Sequence, residues 1–251
     1  MPTASQYYPF LCSCSWFRQL DAEIQRALLG AAELRDYARH ERVLRSGEAC
    51  DGLSVIVEGS VRVTQKVNGK DALLGIFAAP FWMGDIAIID GDGWQHDVFA
   101  DQPLRLLHVP MADIKALLAR RPDFYRHLGL LISAKLRLAI QALHDTSVEP
   151  MPVRVARRLL IMASAYGAWT DRTALTLQVS QEQLAAMLGT SRQTISVILR
   201  DLEARGTIRI AYGRIELVEL TALKQLAGQR DEDTSTLQAS GEGAPRAQTA
   251  A

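Results

Sequence analysis

The chain has 251 residues, with 28 Lys and Arg against 28 Asp and Glu, so its formal net charge is zero. Neutrality argues against a protein that coats nucleic acid over its whole surface, and the length gives room for two modest domains, each with its own core. No apolar run is long enough to cross a bilayer, no basic residue precedes Arg18, and three cysteines suit a reducing compartment, so a cytoplasmic protein away from membranes is expected.

Residues 1–15 read as an N-terminal tail, and "LDAEIQRALLGAAEL", 20–34, reads as a helix. From Glu41 to Pro110 short β-like runs at 53–57, 61–65, 72–77 and 104–109 alternate with glycine turns. "MADIKALLARRP", 111–122, is again helical and is closed by Pro122. Residues 16–122 are therefore expected to form a small antiparallel barrel or sandwich flanked by helices.

Residues 123–147 predict one long helix with two apolar stripes. Leu128, Leu131 and Leu138 lie on one, and Ile132, Leu136, Ala139 and Leu143 on the other. One domain absorbs one stripe; the second is most simply buried against a copy of itself, giving a two-fold dimer. The alternative is a helix sandwiched between two parts of one monomer, and Lys135 interrupts any strict coiled-coil pattern.

"VEPMPVR", 148–154, with two prolines, reads as a hinge into a second domain, 148–228. Residues 229–251 lack an apolar face and are expected to be disordered. Charge is uneven: 16 basic against 18 acidic residues over 1–149, 10 against 6 over 150–228, and 2 against 4 over 229–251. The basic excess falls in the second domain.

There, Ser180 followed by Gln183 is a capping-box pattern, Leu184 and Leu188 share an inward face, and Gly189 makes a tight turn. In the next helix Ile195, Ile198, Leu199 and Leu202 form the buried stripe, with Ser191 or Thr190 as cap and Gly206 as stop. "TIRIAYGRIELVEL", 207–220, then suggests a two-stranded wing around Tyr212-Gly213. This is a helix-turn-helix whose second helix can enter a major groove. Arg192 can pair with guanine, Gln193 with adenine, and Ser196 or Arg200 with phosphate or an adjacent base, while Ser191, Thr194 and Val197 share the same exposed face. Taken singly, an Arg or Gln near a helix start is usually just solvated; the whole motif carries the reading.

"VSQEQLAAMLGTSRQTISVILRDLEARGTI", with "EGSVRV" at 58–63 and "GDIAIIDG" at 84–91, resembles the Crp/Fnr family of bacterial transcription regulators over roughly residues 16–225. The resemblance implies an α+β fold: an N-terminal antiparallel, jelly-roll-like β-roll with flanking helices, a long dimerisation helix and a C-terminal winged helix-turn-helix. It also implies a homodimer on a palindromic operator, an effector sensed in the roll, and RNA polymerase as partner, with 163–176 lying where the family's activator presents a contact loop. That activator has an acidic residue where Gln193 stands and an Arg where Val197 stands, which implies a different operator here.

In members that bind cyclic nucleotides, a Gly-Glu pair holds the ribose and a later Arg neutralises the phosphate. Here Gly84-Asp85 stands at the pair, and Gln95, His96 and Asp97 stand where the Arg is expected, which disfavours cyclic AMP. An effector pocket is expected around Gly84, Asp85, Ile86 and Ala87, with Trp82 and Trp94 either lining it or filling the core. Cys12, Cys14 and Cys50 are candidates for a redox disulfide, with incidental thiols as the alternative. The family's all-cysteine iron-sulfur cluster needs four ligands and the chain has three cysteines. His96 is a candidate haem ligand or an ordinary hydrogen-bonded histidine. No metal site is expected, and the effector stays unassigned.

The expected function is a sequence-specific DNA-binding transcription regulator. A rival is a ligand-binding module whose helix-turn-helix serves protein contacts without specific DNA binding. An enzyme is not expected, because no nucleophile and base set, metal-ligand spacing or phosphate-cradling loop stands out.

Overall fold

The structure, a computed structural model, describes residues 3–67, 69–164 and 175–228, with backbone alone at residues 70 and 144–148. The N-terminal segment is not a tail. A 3-10 turn, Ala4–Tyr7, leads into α1, Tyr8–Leu11, and α2, Ser15–Arg18, which bury Tyr7, Leu11, Cys14, Trp16 and Phe17. Trp16 donates through Nε1 to the His127 carbonyl at 2.7 Å, and Tyr7 Oη donates to Glu58 Oε1 at 2.5 Å. Each helix has only four residues, too few to show a helical period, so the apolar residues read as scatter.

Next come α3, Ala22–Ala31, then β1, Glu33–Tyr37; β2, Arg42–Leu44; β3, Gly52–Glu58; β4, Ser60–Val67; β5, Lys70–Ala78; and β6, Phe81–Met83. The helix expected over 20–34 therefore stops at Ala31, because Glu33 onward pairs with a later strand. After β6 follow α4, Asp85–Asp90; β7, Asp97–Ala100; β8, Leu104–Pro110; and α5, Met111–Arg120. The strands form two four-stranded antiparallel sheets, ordered β1-β8-β3-β6 and β2-β7-β4-β5. Ile56, Val61, Val98 and Leu106 lie in the core shared by strands of both sheets, which is the expected β-roll.

The long helix is α6, Phe124–Val148. Phe124, Leu128, Leu131 and Ala134 bury one face against the chain's own N-terminal helices and roll, with Leu138 partly covered. Of the other stripe, Ile132 is partly covered and Ala139 is exposed, while Leu136 is 56% and Leu143 71% exposed; Ile140, outside the expected stripe, extends this open face at 56%. The expected hinge is shorter than 148–154, since α7, Met151–Ala163, begins directly after Pro150. Pro152 fits its first turn, where the missing N–H has no intrahelical partner to lose.

The second domain continues with β9, Thr176–Leu177; α8, Gln181–Leu188; α9, Arg192–Ala204; β10, Ile208–Ala211; β11, Arg214–Leu217; and α10, Leu220–Leu226. β10 and β11 pair in register Ile208 to Leu217 and Ile210 to Ile215, and β9 adds on the other edge of β11. Ile76 of β5 sits in this domain's core with Val155, Leu159 and Leu184, so the hairpin of the roll docks onto the second domain. No helix of the described residues is long and apolar enough to cross a membrane. Residues 229–251 and most of 163–176 lie outside the described residues.

Candidate nucleic-acid interface and effector cavity

The helix-turn-helix is built by its caps. Ser180 Oγ accepts from the Gln183 N–H at 3.1 Å, and Gln183 Oε1 accepts from the Ser180 N–H at 2.9 Å, a complete capping box. Gly189 closes α8 at φ 64°, a left-handed conformation that glycine adopts without a Cβ penalty. Ser191 Oγ then accepts from the Thr194 N–H at 3.0 Å and lies 2.8 Å from Thr194 Oγ1. The hydroxyls of Ser191 and Thr194 thus serve the cap first, and their side chains are exposed at its edge.

Ile195, Ile198, Leu199 and Leu202 bury one face of α9. On the opposite face Arg192, Gln193 and Arg200 are exposed, and Val197 is 61% exposed, an open apolar spot suited to a thymine methyl. Arg200 Nη2 donates to Ser196 Oγ at 2.9 Å, so Ser196 orients Arg200 one helical turn on. The wing adds Arg209 and Arg214, both on Glu216 at 3.2 and 3.5 Å, and the fully exposed Tyr212 at its tip. The sequence motif and the geometry agree: one face is core, and the other carries exposed polar side chains with the apolar Val197 among them.

The helix-turn-helix touches the roll at a point that sequence reasoning missed. Gln183 Nε2 donates to Asp101 Oδ1 at 3.1 Å, while the same side chain completes the capping box. Arg39 Nε donates to the Asp101 carbonyl at 3.0 Å. Asp101, Gln102, Arg192 and Tyr212 line one cleft between the two domains.

In the roll, Gly84, Asp85, Ile86, Ala87, Trp82 and Trp94 all line a single cavity of about 200 Å³. Gly84 starts α4 at φ 102° and packs against the Gly52 carbonyl, where a Cβ has no room. Ile86 stands at the rim, 43% exposed. Trp82 belongs mainly to the core: its ring meets Trp16 at 4.7 Å and Phe17 at 6.1 Å. Trp94 is half-buried and faces the cavity from the other side.

The feature that decides the cavity's chemistry is Lys135. Its Nζ lies 2.6 Å from Asp85 Oδ1 and 2.8 Å from the Trp82 carbonyl, and 4.9 Å from the centre of the Phe81 ring. The lysine that broke the apolar stripe of α6 therefore neutralises a buried carboxylate on α4. Among the described residues lining the cavity, Lys135 is the one Lys or Arg, and its ammonium is already engaged. A cyclic phosphate would find no free cation there, and Asp85 is turned to the lysine instead of to a ribose. The residues lining this cavity do not fit a cyclic nucleotide; Arg42, Arg45 and Lys66 line the adjoining pocket, which shares Gln95 and His96 with it. His96 also lines the cavity, whose volume is far too small for a porphyrin.

The cysteines do not form a reactive set. None of the three is in a disulfide; Cys14 is buried in the aromatic core, and Cys12 and Cys50 are half-buried. Burial pushes the Cys14 thiol up, against the lowering effect of nearby backbone N–H groups, and burial likewise raises Cys50. The thiolate is the reactive form, so both are held in the less reactive state. Among the described residues, no three His, Cys, Asp or Glu side chains gather as a metal-binding group.

Comparison with known proteins follows the same division. Residues 34–121 match the family of cyclic nucleotide-binding domains and residues 153–226 that of Crp-like helix-turn-helix domains. A CRP-like cAMP-activated global transcriptional regulator of Mycobacterium tuberculosis is 26% identical over 196 residues, 77% of this chain and 88% of its own. The cyclic AMP receptor protein of Thermus thermophilus is 26% identical over 213 residues, 84% and 95% of the two chains. The structure of FixK2 from Bradyrhizobium japonicum shares the fold, with a TM-score of 0.67 at 18% identity over 78% of this chain and 96% of that one. Matched in both domains and in the same order, the chain belongs to the Crp/Fnr family and is a DNA-binding transcription regulator.

Proposed function

We propose that the protein is a homodimer that reads a two-fold-symmetric operator with the exposed face of α9 and is controlled through the cavity of its roll by a signal other than a cyclic nucleotide. The observation that carries this reading is the division of α9: Ile195, Ile198, Leu199 and Leu202 are buried while Arg192, Gln193, Val197 and Arg200 face outward from a doubly capped turn. Arg192 and Gln193 read base edges, Val197 meets a thymine methyl, and Arg200, with Ser196, Ser191 and Thr194, holds the backbone. The uncovered stripe Leu136, Ile140 and Leu143 supplies the dimer seam, and the half-sites lie about one helical turn apart.

As a regulator of transcription it works with RNA polymerase in the cytoplasm. Selection from random duplexes, followed by a salt titration on the selected and on a scrambled duplex, tests the reading. The selected site should be palindromic and should outcompete the scrambled one at every salt concentration. Equal affinity for both duplexes would sink it.

A further inference from the structure

The outer face of the β2-β7-β4-β5 sheet carries a row of cations beside the DNA-reading domain. Val61, Val98 and Ala100 point into the core of the roll, so the alternate residues Arg62 and Phe99 point out. Phe99 pairs with Arg42 of β2 on one side and with Arg62 of β4 on the other. Both guanidiniums lie over its ring, 5.3 and 4.8 Å from the centre. Arg62 Nη1 also donates to His40 Nδ1 at 3.0 Å. Two like charges are thus held across one strand by an aromatic platform, and among the described residues neither has a carboxylate partner. Their mutual repulsion is relieved when an anion lies over them.

The row continues in both directions. On one side Arg45 and Lys66 line a polar pocket together with Arg42. On the other Arg39, which donates to the Asp101 carbonyl, lines the cleft that also holds Arg192 and Tyr212. The carboxylates nearby are answered within the chain. Asp97 accepts from the Ser46 N–H at 3.3 Å, Asp101 accepts from Gln183 at 3.1 Å, Glu48 lies 3.5 Å from Arg45, and Asp71 stands opposite Lys66. From Arg62 to Lys66 β4 covers roughly 14 Å, a length over which a duplex carries about eight charges. A small anion answers one end of such a row, and a polyanion answers all of it.

The place of the row in the fold selects the polyanion. Arg62 pairs with Ile76 of β5, and Ile76 is buried in the core of the second domain. The helix-turn-helix therefore packs on the same sheet face that bears the cations. Resting on the operator reading above, we propose that Arg39, Arg42 and Arg62 form a second DNA contact on the roll, which grips the phosphate backbone flanking the half-site that α9 reads. This contact supplies affinity and no sequence preference, since it meets backbone and not base edges.

Fluorescence anisotropy of the full-length protein on two duplexes tests the proposal: the selected operator alone, and the same operator extended by about one helical turn, about 10 bp, at each end. The extended duplex should bind about tenfold or more tighter, with a salt slope steeper by about two or more, because further phosphates are neutralised. In Arg42→Gln combined with Arg62→Gln, whose folding is checked by thermal unfolding, most of that gain and of the added slope should be lost, while affinity for the short duplex stays unchanged. Arg42→Lys combined with Arg62→Lys keeps both charges and should keep most of the gain. Equal binding of the two duplexes by the parent, a full gain in the Gln variant, or a Lys variant as impaired as the Gln variant would each overturn the assignment. Failure of the operator reading looks different: the protein then shows no preference for the selected duplex over a scrambled one of equal length. A preserved preference without a gain from the flanks sinks the roll contact alone.

Discussion

Lys135 on the long helix and Asp85 on α4 form an ion pair of 2.6 Å, in which the carboxylate side chain is 3% exposed and the lysine 22%. Fifty residues of sequence separate them, yet together they join the cavity of the roll to α6. Removing one member leaves the other buried without its counter-charge. Lys135→Met should therefore destabilise the protein by about 3 kcal/mol, while Lys135→Met combined with Asp85→Leu should recover much of that loss. Urea denaturation of the two variants and the parent checks this; a double variant no more stable than the single would show that the pair is not coupled.

Much of this architecture was legible in the chain. Ser180 with Gln183, Gly189, and the spacing of Ile195, Ile198, Leu199 and Leu202 are local signals, and the capped helix-turn-helix appears where they place it. The strands at 53–57, 61–65, 72–77 and 104–109 are the long ones, β3, β4, β5 and β8, of seven to nine residues. β2 and β6 have three residues each and β7 four, too short to display alternation, while β1, "ELRDY", carries three charges and owes its state to pairing with β8. Lys135 looked like a defect in a stripe because its partner is distant in sequence. The docking of Gln183 on Asp101 was hidden for the same reason, since a capping residue already has a local task.

His108 gives the stability a pH dependence. Its ring is buried on β8, with Nδ1 2.9 Å from Ser54 Oγ and Nε2 3.5 Å from Asp51 Oδ2. Burial holds its pKa below the ordinary 6.5, outweighing the upward pull of the Asp51 carboxylate, with the Arg35 guanidinium adding to the depression. His127 is also lowered, again chiefly by burial. A depressed histidine binds fewer protons folded than unfolded, so its stabilising effect is complete above the unfolded value and is lost as pH falls toward the folded one. Denaturation at a series of pH values should show stability falling below about pH 6.5, with a limiting slope near 1.4 kcal/mol per unit for each histidine. In His108→Gln the fall should be shallower; an identical slope would remove His108 from this account.

On α9, base reading and backbone holding separate by their response to salt. Arg192→Ala should lower affinity for the selected operator by about ten- to a hundredfold and relax preference at one base position, leaving a salt-sensitive non-specific binding in place. Arg200→Ala, which loses a guanidinium leaning on Ser196, should weaken all duplexes alike and reduce the salt slope by about one. Fluorescence anisotropy over a range of salt distinguishes them. An Arg192→Ala protein with its site preference unchanged would rule out the base-reading role.

The stripe of Leu136, Ile140 and Leu143 bears on whether one chain or two meet the operator. These side chains are 56%, 56% and 71% exposed on a helix whose other face is packed, an arrangement that one chain leaves unfinished. In the proposed dimer a second copy related by a two-fold axis covers the stripe with itself and places two copies of α9 on one duplex. Leu136→Glu combined with Ile140→Glu puts like charges on that seam without touching the chain's own core. The variant should sediment as a monomer at concentrations where the parent is a dimer. Its operator affinity should fall about a hundredfold or more, because the second half-site contact is no longer intramolecular. Single-domain folding should persist, seen as an unchanged circular dichroism spectrum. A charged variant that still sediments as a dimer would move the seam to another surface of the molecule.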